Sequence, residues 1–210
     1  MTIYFDIDST LFTTNLFKKT KIDPQLEELL GVSLETLQES EKAYFTGLEK
    51  GTDFDFHNYC AFIAEKFNDV GGSASKEQLE KLFEDQALYE GMVYPDVFPT
   101  LQLLQDRGDS IGIFSEGHTD FQTNKITFTG VMTFADPTKV HIARRKLEPE
   151  VLSKLEAGAI VIDDKIEYLE NLPETLTPVW INRTSEEKHS TIATIKSLEE
   201  ITQFLLNKKD

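Results

Sequence analysis

The sequence contains a single cysteine, Cys60, among its 210 residues. One cysteine cannot form a disulfide within the chain, and it cannot form a cysteine cluster that binds metal. Cys60 itself falls in an apolar helical pattern, where a thiol packs as a small hydrophobic group. We therefore expect a protein of a reducing compartment, the cytoplasm.

Positive charge is also scarce. Lysine and arginine total 21 against 37 aspartates and glutamates, which gives a formal net charge of -16 at pH 7. Nucleic acids and anionic membranes are bound mainly through clustered lysines and arginines, so we expect neither as a partner. A small anionic substrate is compatible with this charge only where a cation or a few local positive groups offset the overall field.

Long apolar runs are missing as well. No run approaches the roughly 20 residues that span a bilayer. Asp6 and Asp8 interrupt the place where the apolar part of a secretory signal would lie, so we expect no such signal. The chain is 40% hydrophobic and 10% aromatic, which is typical of a folded globular protein, and its length allows one domain with a smaller inserted one.

Three short apolar runs each end in serine or in acidic residues. The runs and the residues after them are 3–5 with Asp6 and Asp8, 111–114 with Ser115, and 159–162 with Asp163 and Asp164. Such runs predict buried strands, and ligands of parallel sheets bind beyond the carboxyl ends of the strands. Carboxylate ligands favour Mg²⁺ over zinc. The alternative for residues 6–10 alone is an ordinary polar turn.

Further strands are predicted at 131–134, 140–142 and 178–182, with helices between them. This alternation predicts an α/β fold with a parallel sheet covered on both faces. The segment from residue 13 to about residue 90 instead has only helical patterns, such as the buried stripe of residues 56–67.

Helix boundaries are legible in this segment. Ser33 is predicted to cap a helix that Gly51 ends, and Ser75 with Gln78 has the spacing of a capping box that follows the break at residues 71–72. We expect an all-helical cap domain at 13–91, inserted into a core formed by 1–12 and 92–210.

The motifs at the strand ends resemble those of the haloacid dehalogenase-like (HAD) superfamily of aspartate-nucleophile hydrolases. Residues 6–10, D-I-D-S-T, match its first motif, D-x-D-x-[TV]. Ser115 matches its second motif, and the pair Asp163-Asp164 matches its acidic fourth motif. The resemblance covers the whole chain, and it implies a Rossmann-like α/β core with a helical C1-type cap directly after the first motif.

The third motif of this family is a lysine ahead of the last acidic strand. Lys146 precedes the helix predicted at Pro149, which is the usual place for that lysine. Lys139 is the competing candidate, and Arg144 and Arg145 lie close to both in the sequence. We prefer Lys146.

The resemblance implies a phosphatase that acts on a small phosphorylated metabolite. Asp6 would then be the nucleophile that forms an aspartyl-phosphate, and Asp8 would act as acid and base. Ser115 and Lys146 would bind the phosphate oxygens. Residues 13–19 after the first motif would contribute to substrate choice, with Lys18 among the candidates.

The resemblance also implies Mg²⁺ as the cofactor. The ion would be held by the Asp6 carboxylate, the backbone carbonyl of Asp8, Asp163, and Asp164 directly or through water. A phosphomutase or phosphotransferase would use the same residues and stays an alternative. A phospho-acceptor or binding module without turnover is the remoter one, because the first strand itself supplies both aspartates. Oligomeric state is not predicted.

Overall fold

The computed structural model describes residues 1–48, 54–68 and 74–207. Its centre is a parallel sheet of six strands, in the order β3-β2-β1-β4-β5-β6. The strands are β1 (Thr2–Phe5), β2 (Ser110–Glu116), β3 (Val140–Ala143), β4 (Ile160–Asp163), β5 (Thr177–Ile181) and β6 (Ala193–Ile195). This is the strand order of doubly wound Rossmann-like folds, so the predicted fold class is confirmed.

Helices cover the sheet and fill the segment between β1 and β2. They are α1 (Thr14–Phe17), α2 (Asp23–Leu30), α3 (Leu34–Gly47), α4 (Phe56–Phe67), α5 (Lys76–Phe83), α6 (Val97–Asp106), α7 (Thr119–Phe128), α8 (Pro149–Leu152), α9 (Ile166–Leu169) and α10 (Ile201–Asn207). Residues Lys18–Ile22 form a π-helical link between α1 and α2. Among the described residues, no helix is long and apolar enough to cross a membrane.

The predicted helix caps of the inserted segment are present. The Ser33 hydroxyl accepts the Thr36 N–H, and Ser75 with Gln78 forms a complete capping box. These bonds satisfy backbone N–H groups that have no partner within the helix. The predicted breaks at Gly51 and at residues 71–72 lie outside the described residues.

Two neighbouring backbone segments connect the helical insert to the sheet. The Thr13 N–H donates to the Met92 carbonyl at 2.9 Å, and the Tyr94 N–H donates to the Leu11 carbonyl at 3.1 Å. The chain therefore leaves and re-enters the sheet at one place. The expected cap boundary falls at this pairing, and the division into two domains stays a prediction.

The predicted strand at residues 131–134 is wrong. Val131–Thr133 is a turn of 3₁₀ helix, and Val131 packs into the core. The edge of β2 is instead occupied by β3, with Ile113 opposite Val140. A short apolar run shows only that its residues are buried, and here burial is achieved without strand pairing. Strand β6 was not predicted, because three residues give almost no periodic signal.

Asp96 and Arg183 connect the loop after β1 to the last part of the chain. The Arg183 guanidinium donates two hydrogen bonds to the Asp96 carboxylate, at 2.8 and 3.1 Å, and one to the Thr10 carbonyl at 2.9 Å. The Ser197 hydroxyl and the Leu198 N–H also donate to Asp96. Burial alone would raise the pKa of Asp96, but these donors outweigh it and hold that pKa below its ordinary value.

We expect Asp96→Ala to lower the free energy of unfolding by about 3 kcal/mol near neutral pH, because Arg183 keeps a largely buried charge without its partner. The folded pKa of Asp96 lies below the unfolded value, so its contribution is present above about pH 4 and is lost as the pH falls through the folded pKa. Denaturant unfolding of both proteins near neutral and acidic pH measures the difference, which should shrink in acid. Asp120→Ala, at an exposed position of α7, is the control. Equal stability of the Asp96 variant and the wild type near neutral pH would contradict this expectation.

Candidate active site

Asp6 and Asp8 lie at the carboxyl end of the central strand β1. The Asp6 N–H donates to the Ile162 carbonyl at 2.9 Å, which continues the pairing of β1 with β4 by one residue. The chain then turns, with Ser9 at a φ of 58°. This left-handed conformation is uncommon for a residue with a side chain. The turn lets the chain reverse immediately after both aspartates, at the edge where the predicted site was expected.

Lys146 is fully buried and binds two carboxylates of this edge. Its ammonium group lies 3.0 Å from Asp6 Oδ1 and also donates to Asp163 Oδ2. The ring of Tyr168 lies 4.3 Å from Lys146 Nζ. Burial alone would lower the pKa of Lys146, but the charges of Asp6 and Asp163 outweigh it and raise that pKa. The lysine is therefore held charged beside the predicted nucleophile.

Lys139, the competing candidate, lies elsewhere. Its ammonium group donates to the Thr2 hydroxyl at 2.9 Å and pairs with Glu156 at 2.9 Å. Thr2 begins β1, so Lys139 is at the amino end of the strands, away from Asp6. Of the two lysines, the structure brings only Lys146 to the aspartates.

Asp6, Asp163 and Asp164 form a compact acidic group. One carboxylate oxygen from each lies within 4.8 Å of the others. Asp164 Oδ1 is buried and has no hydrogen-bond partner among the described residues. An oxygen-only donor group with a buried, unpartnered carboxylate oxygen fits a hard divalent cation such as Mg²⁺.

The electrostatics of the acidic group agree with a cation site. Burial and the charge of Asp6 raise the pKa of Asp164 to about 7. Burial and Asp6 also raise the pKa of Asp163, although Lys146 acts in the opposite direction. A single lysine thus leaves part of the negative charge of these three acids uncompensated, and a bound cation would relieve the remainder.

Asp8 is held by three side chains that the sequence analysis did not identify. Its Oδ1 accepts hydrogen bonds from Thr14 at 2.5 Å and from the Lys125 ammonium at 2.6 Å, and its Oδ2 accepts one from Gln122 at 2.7 Å. Burial alone would raise the pKa of Asp8, but Lys125 and the other donors outweigh it and lower that pKa. Asp8 is therefore fixed in orientation and kept as a carboxylate.

Ser115 and the two residues after it end strand β2 at the same edge. Ser115 is fully buried, and Gln122 Nε2 lies 3.4 Å from its hydroxyl. The Glu116 carboxylate accepts hydrogen bonds from the Tyr168 hydroxyl at 2.7 Å and from the Lys146 N–H at 3.1 Å. These two bonds position the backbone of Lys146. The structure thus brings together the candidates from β1, β2 and β4, together with Lys146.

Gly117 allows α7 to begin close to Ser115. Its φ is 144°, and a Cβ atom at this position would lie 2.9 Å from Gln122 Nε2. A larger residue would displace the amide that binds Asp8, so glycine is required here by both backbone and space.

Comparison with known proteins supports the fold. No protein-family model matches the chain, and no curated protein matches it significantly in sequence. Solved structures do match. A HAD phosphatase from Thermococcus onnurineus is 24% identical with a TM-score of 0.63, and each chain is covered to 97%. The Bacillus subtilis protein YfnB, solved bound to magnesium, is 16% identical with a TM-score of 0.66, again with 97% of each chain covered.

An L-2-haloacid dehalogenase from Xanthobacter autotrophicus is also similar, at 14% identity and a TM-score of 0.61, with 98% of each chain covered. Phosphatases and dehalogenases are thus both represented, and at these identities the comparisons establish the fold alone. The architecture is a Rossmann-like α/β sheet with a helical insert after β1. More particularly, the chain has the fold of the HAD superfamily, as the motif resemblance predicted.

Proposed function

We propose that this protein is a Mg²⁺-dependent phosphatase that hydrolyses a small phosphorylated metabolite through an aspartyl-phosphate on Asp6. The observation that carries the proposal is the pair of differently held carboxylates at the end of β1. Asp6 is bound by Lys146, and Asp8 is bound by Lys125. One carboxylate is available to attack and the other to transfer a proton, which are the two tasks of this chemistry.

In the first step, Asp6 attacks the phosphorus. A bond forms between its carboxylate oxygen and phosphorus, and the bond from phosphorus to the ester oxygen breaks. Lys146 and the Ser115 hydroxyl bind the phosphate oxygens as charge shifts onto them. Mg²⁺, held by Asp6, the Asp8 carbonyl, Asp163 and Asp164, would neutralise charge on the phosphate.

Asp8 handles the protons of both steps. Its lowered pKa suits the second step, in which it removes a proton from the water that attacks the aspartyl-phosphate. In the first step it protonates the departing oxygen, and the negative charge of a bound phosphate favours the protonated form that this requires. Its position beside a cavity gives it access to a leaving group.

The same carboxylate favours a phosphatase over a dehalogenase. Halide is a weak base and departs without a proton, so a dehalogenase gains nothing from an acid at this position. An alcohol leaving group does need one. Four side chains are committed to this edge of the site, Asp8 and its three donors Thr14, Gln122 and Lys125.

Measuring product release tests the proposed reaction. The purified protein is incubated with acetyl phosphate, with glycerol phosphate and, separately, with a chlorinated carboxylic acid, in the presence of Mg²⁺ or of a chelator. We expect Mg²⁺-dependent release of inorganic phosphate without any added acceptor, and no release of chloride. Chloride release without phosphate release would identify a dehalogenase. Phosphate transfer that strictly requires an acceptor would identify a phosphotransferase or mutase.

Lys125 is a positioning residue for Asp8, and its removal tests that role. We expect Lys125→Met to lower kcat by about tenfold or more with glycerol phosphate, because one charge-assisted hydrogen bond to Asp8 is lost. Acetyl phosphate, whose leaving group needs little protonation, should be affected less in its first step. Lys125→Arg should restore part of the rate, and exposed Lys154→Met is the control. Equal losses with both substrates would contradict a role through Asp8.

A further inference from the structure

A cavity of about 330 Å³ begins at Asp8 and extends between the strand ends and the inserted helices. Small-molecule sites range from about 300 to 1,000 Å³, so this one accommodates a small ligand. Because Asp8 is the group that protonates the leaving oxygen under the proposed function, the remainder of the leaving group would occupy this cavity. Its lining therefore indicates the class of substrate.

We propose that the leaving group is a single aromatic ring system that carries no negative charge, so that the substrate is a phosphate monoester of a neutral or cationic aromatic alcohol. This inference rests on the proposed phosphatase function and adds the substrate class to it.

Aromatic side chains from five different helices line the cavity. They are Phe17, Phe45, Phe54, Tyr59, Phe83 and Phe121. The Phe54 ring centroid lies 5.7 Å from that of Phe121 and 5.5 Å from that of Tyr59, and Phe83 lies 5.9 Å from Phe121. Centroid distances of 4.5–7 Å are those of tilted and edge-to-face aromatic pairs, the geometry in which a further ring packs well.

The charged groups of the cavity oppose an anionic leaving group. The Lys18 ammonium lies 2.9 Å from Glu41 and 3.2 Å from Asp23, so this triad has one excess negative charge. Asp23 is buried, at 6% exposure. A carboxylate or second phosphate on the substrate would be placed near like charge in a partly desolvated site, which is unfavourable. A positively charged group would be attracted instead.

The other lysines of the lining do not offset this charge. Among its described residues, Lys125 is bound to Asp8, and Lys165 directly follows Asp164 in the chain, at the metal end of the site. The neutral polar side chains Thr14 and Gln122 already bind Asp8. A sugar would therefore lose hydrogen bonds to water without gaining replacements, whereas an aromatic ring would not.

Matched esters of primary alcohols test the inference, because their leaving groups have similar basicity. The wild-type protein is assayed with Mg²⁺ on benzyl phosphate, para-carboxybenzyl phosphate, para-aminomethylbenzyl phosphate and glycerol phosphate. We expect kcat/KM for benzyl phosphate to exceed that for glycerol phosphate and for the carboxybenzyl ester by about tenfold or more in each case, as a gain or loss of one good pocket contact produces. The aminomethyl ester should equal or exceed benzyl phosphate.

Two variants assign these preferences to the cavity. Glu41→Gln should reduce discrimination against the carboxybenzyl ester several-fold, whereas Glu39→Gln, at an exposed position of the same helix, should not. Phe54→Ala should reduce the preference for benzyl over glycerol phosphate, whereas Phe98→Ala, on α6 away from the cavity, should not.

Acetyl phosphate, which has no ring, distinguishes the two possible failures. If it is hydrolysed with Mg²⁺ but benzyl phosphate is no better than glycerol phosphate, or the carboxybenzyl ester is preferred, the substrate class is wrong and the phosphatase stands. If neither acetyl phosphate nor any ester is hydrolysed, the proposed function fails and the inference fails with it.

Discussion

Asp6→Asn is expected to reduce Mg²⁺-dependent phosphate release by about a thousandfold or more, since an amide cannot form the aspartyl-phosphate and loss of a nucleophile removes the whole covalent route. Lys146 still has Asp163 as a partner in this variant. The substitution also removes one charge from a crowded acidic group, so the variant should fold and be at least as stable as the wild type without metal.

Initial rates with acetyl phosphate and glycerol phosphate measure this effect, and a thermal unfolding curve of each protein verifies folding. The matched control is Asp120→Asn, which changes an exposed acid on α7 and should keep the full rate. A folded Asp6→Asn protein with the rate of the wild type would exclude Asp6 as the nucleophile.

Asp8→Asn is expected to have the second largest effect and to separate the two steps. Loss of general acid and base catalysis costs about 10² to 10⁴ in rate. With glycerol phosphate, whose leaving group is strongly basic, the first step should be slowed. With acetyl phosphate the first step needs little protonation, so the second step, in which Asp8 activates water, should become limiting.

Pre-steady-state kinetics detect this separation. Acetyl phosphate with Asp8→Asn should give a rapid burst of acetate equal to the amount of protein, followed by slow turnover. The burst should disappear when Asp6 is also changed to Asn. A uniform slowing with both substrates and no burst would show that Asp8 does not act on water in the second step.

The sequence was most informative where strands end. Asp6, Ser115 and Asp163 directly follow or end apolar runs, and a buried strand must change to polar residues where it reaches the surface of the sheet. Their meeting at one edge then follows from parallel topology. Lys146 could be nominated only through the family resemblance, because a lysine in a loop has no periodicity that distinguishes it from Lys139.

The residues around Asp8 could not be predicted in the same way. Gln122 and Lys125 are three residues apart on α7, so they lie on one helical face, and both are buried. Such residues usually face solvent, and only the fold shows that this face points at Asp8. The spacing of buried polar residues on a helix directly after the second motif was the one available signal.

The cavity also required the tertiary structure. The apolar pattern of α4 predicted a buried face, and Tyr59 is part of it, but periodicity does not distinguish a residue packed in the core from one that lines a cavity. The rings meet because helices separated in sequence converge over the strand ends. The Lys18 triad depends likewise on the approach of α3 to the π-helical link.

Locating the phosphoryl group on the protein tests the central claim most directly. The Asp8→Asn variant is mixed with acetyl phosphate and Mg²⁺, quenched in acid during the burst, digested and analysed by mass spectrometry, with borohydride reduction to mark the acyl phosphate. We expect one phosphoryl group per protein, attached to Asp6. A phosphoryl group on another residue, or a burst of acetate with no phosphorylated peptide, would contradict Asp6 as the nucleophile.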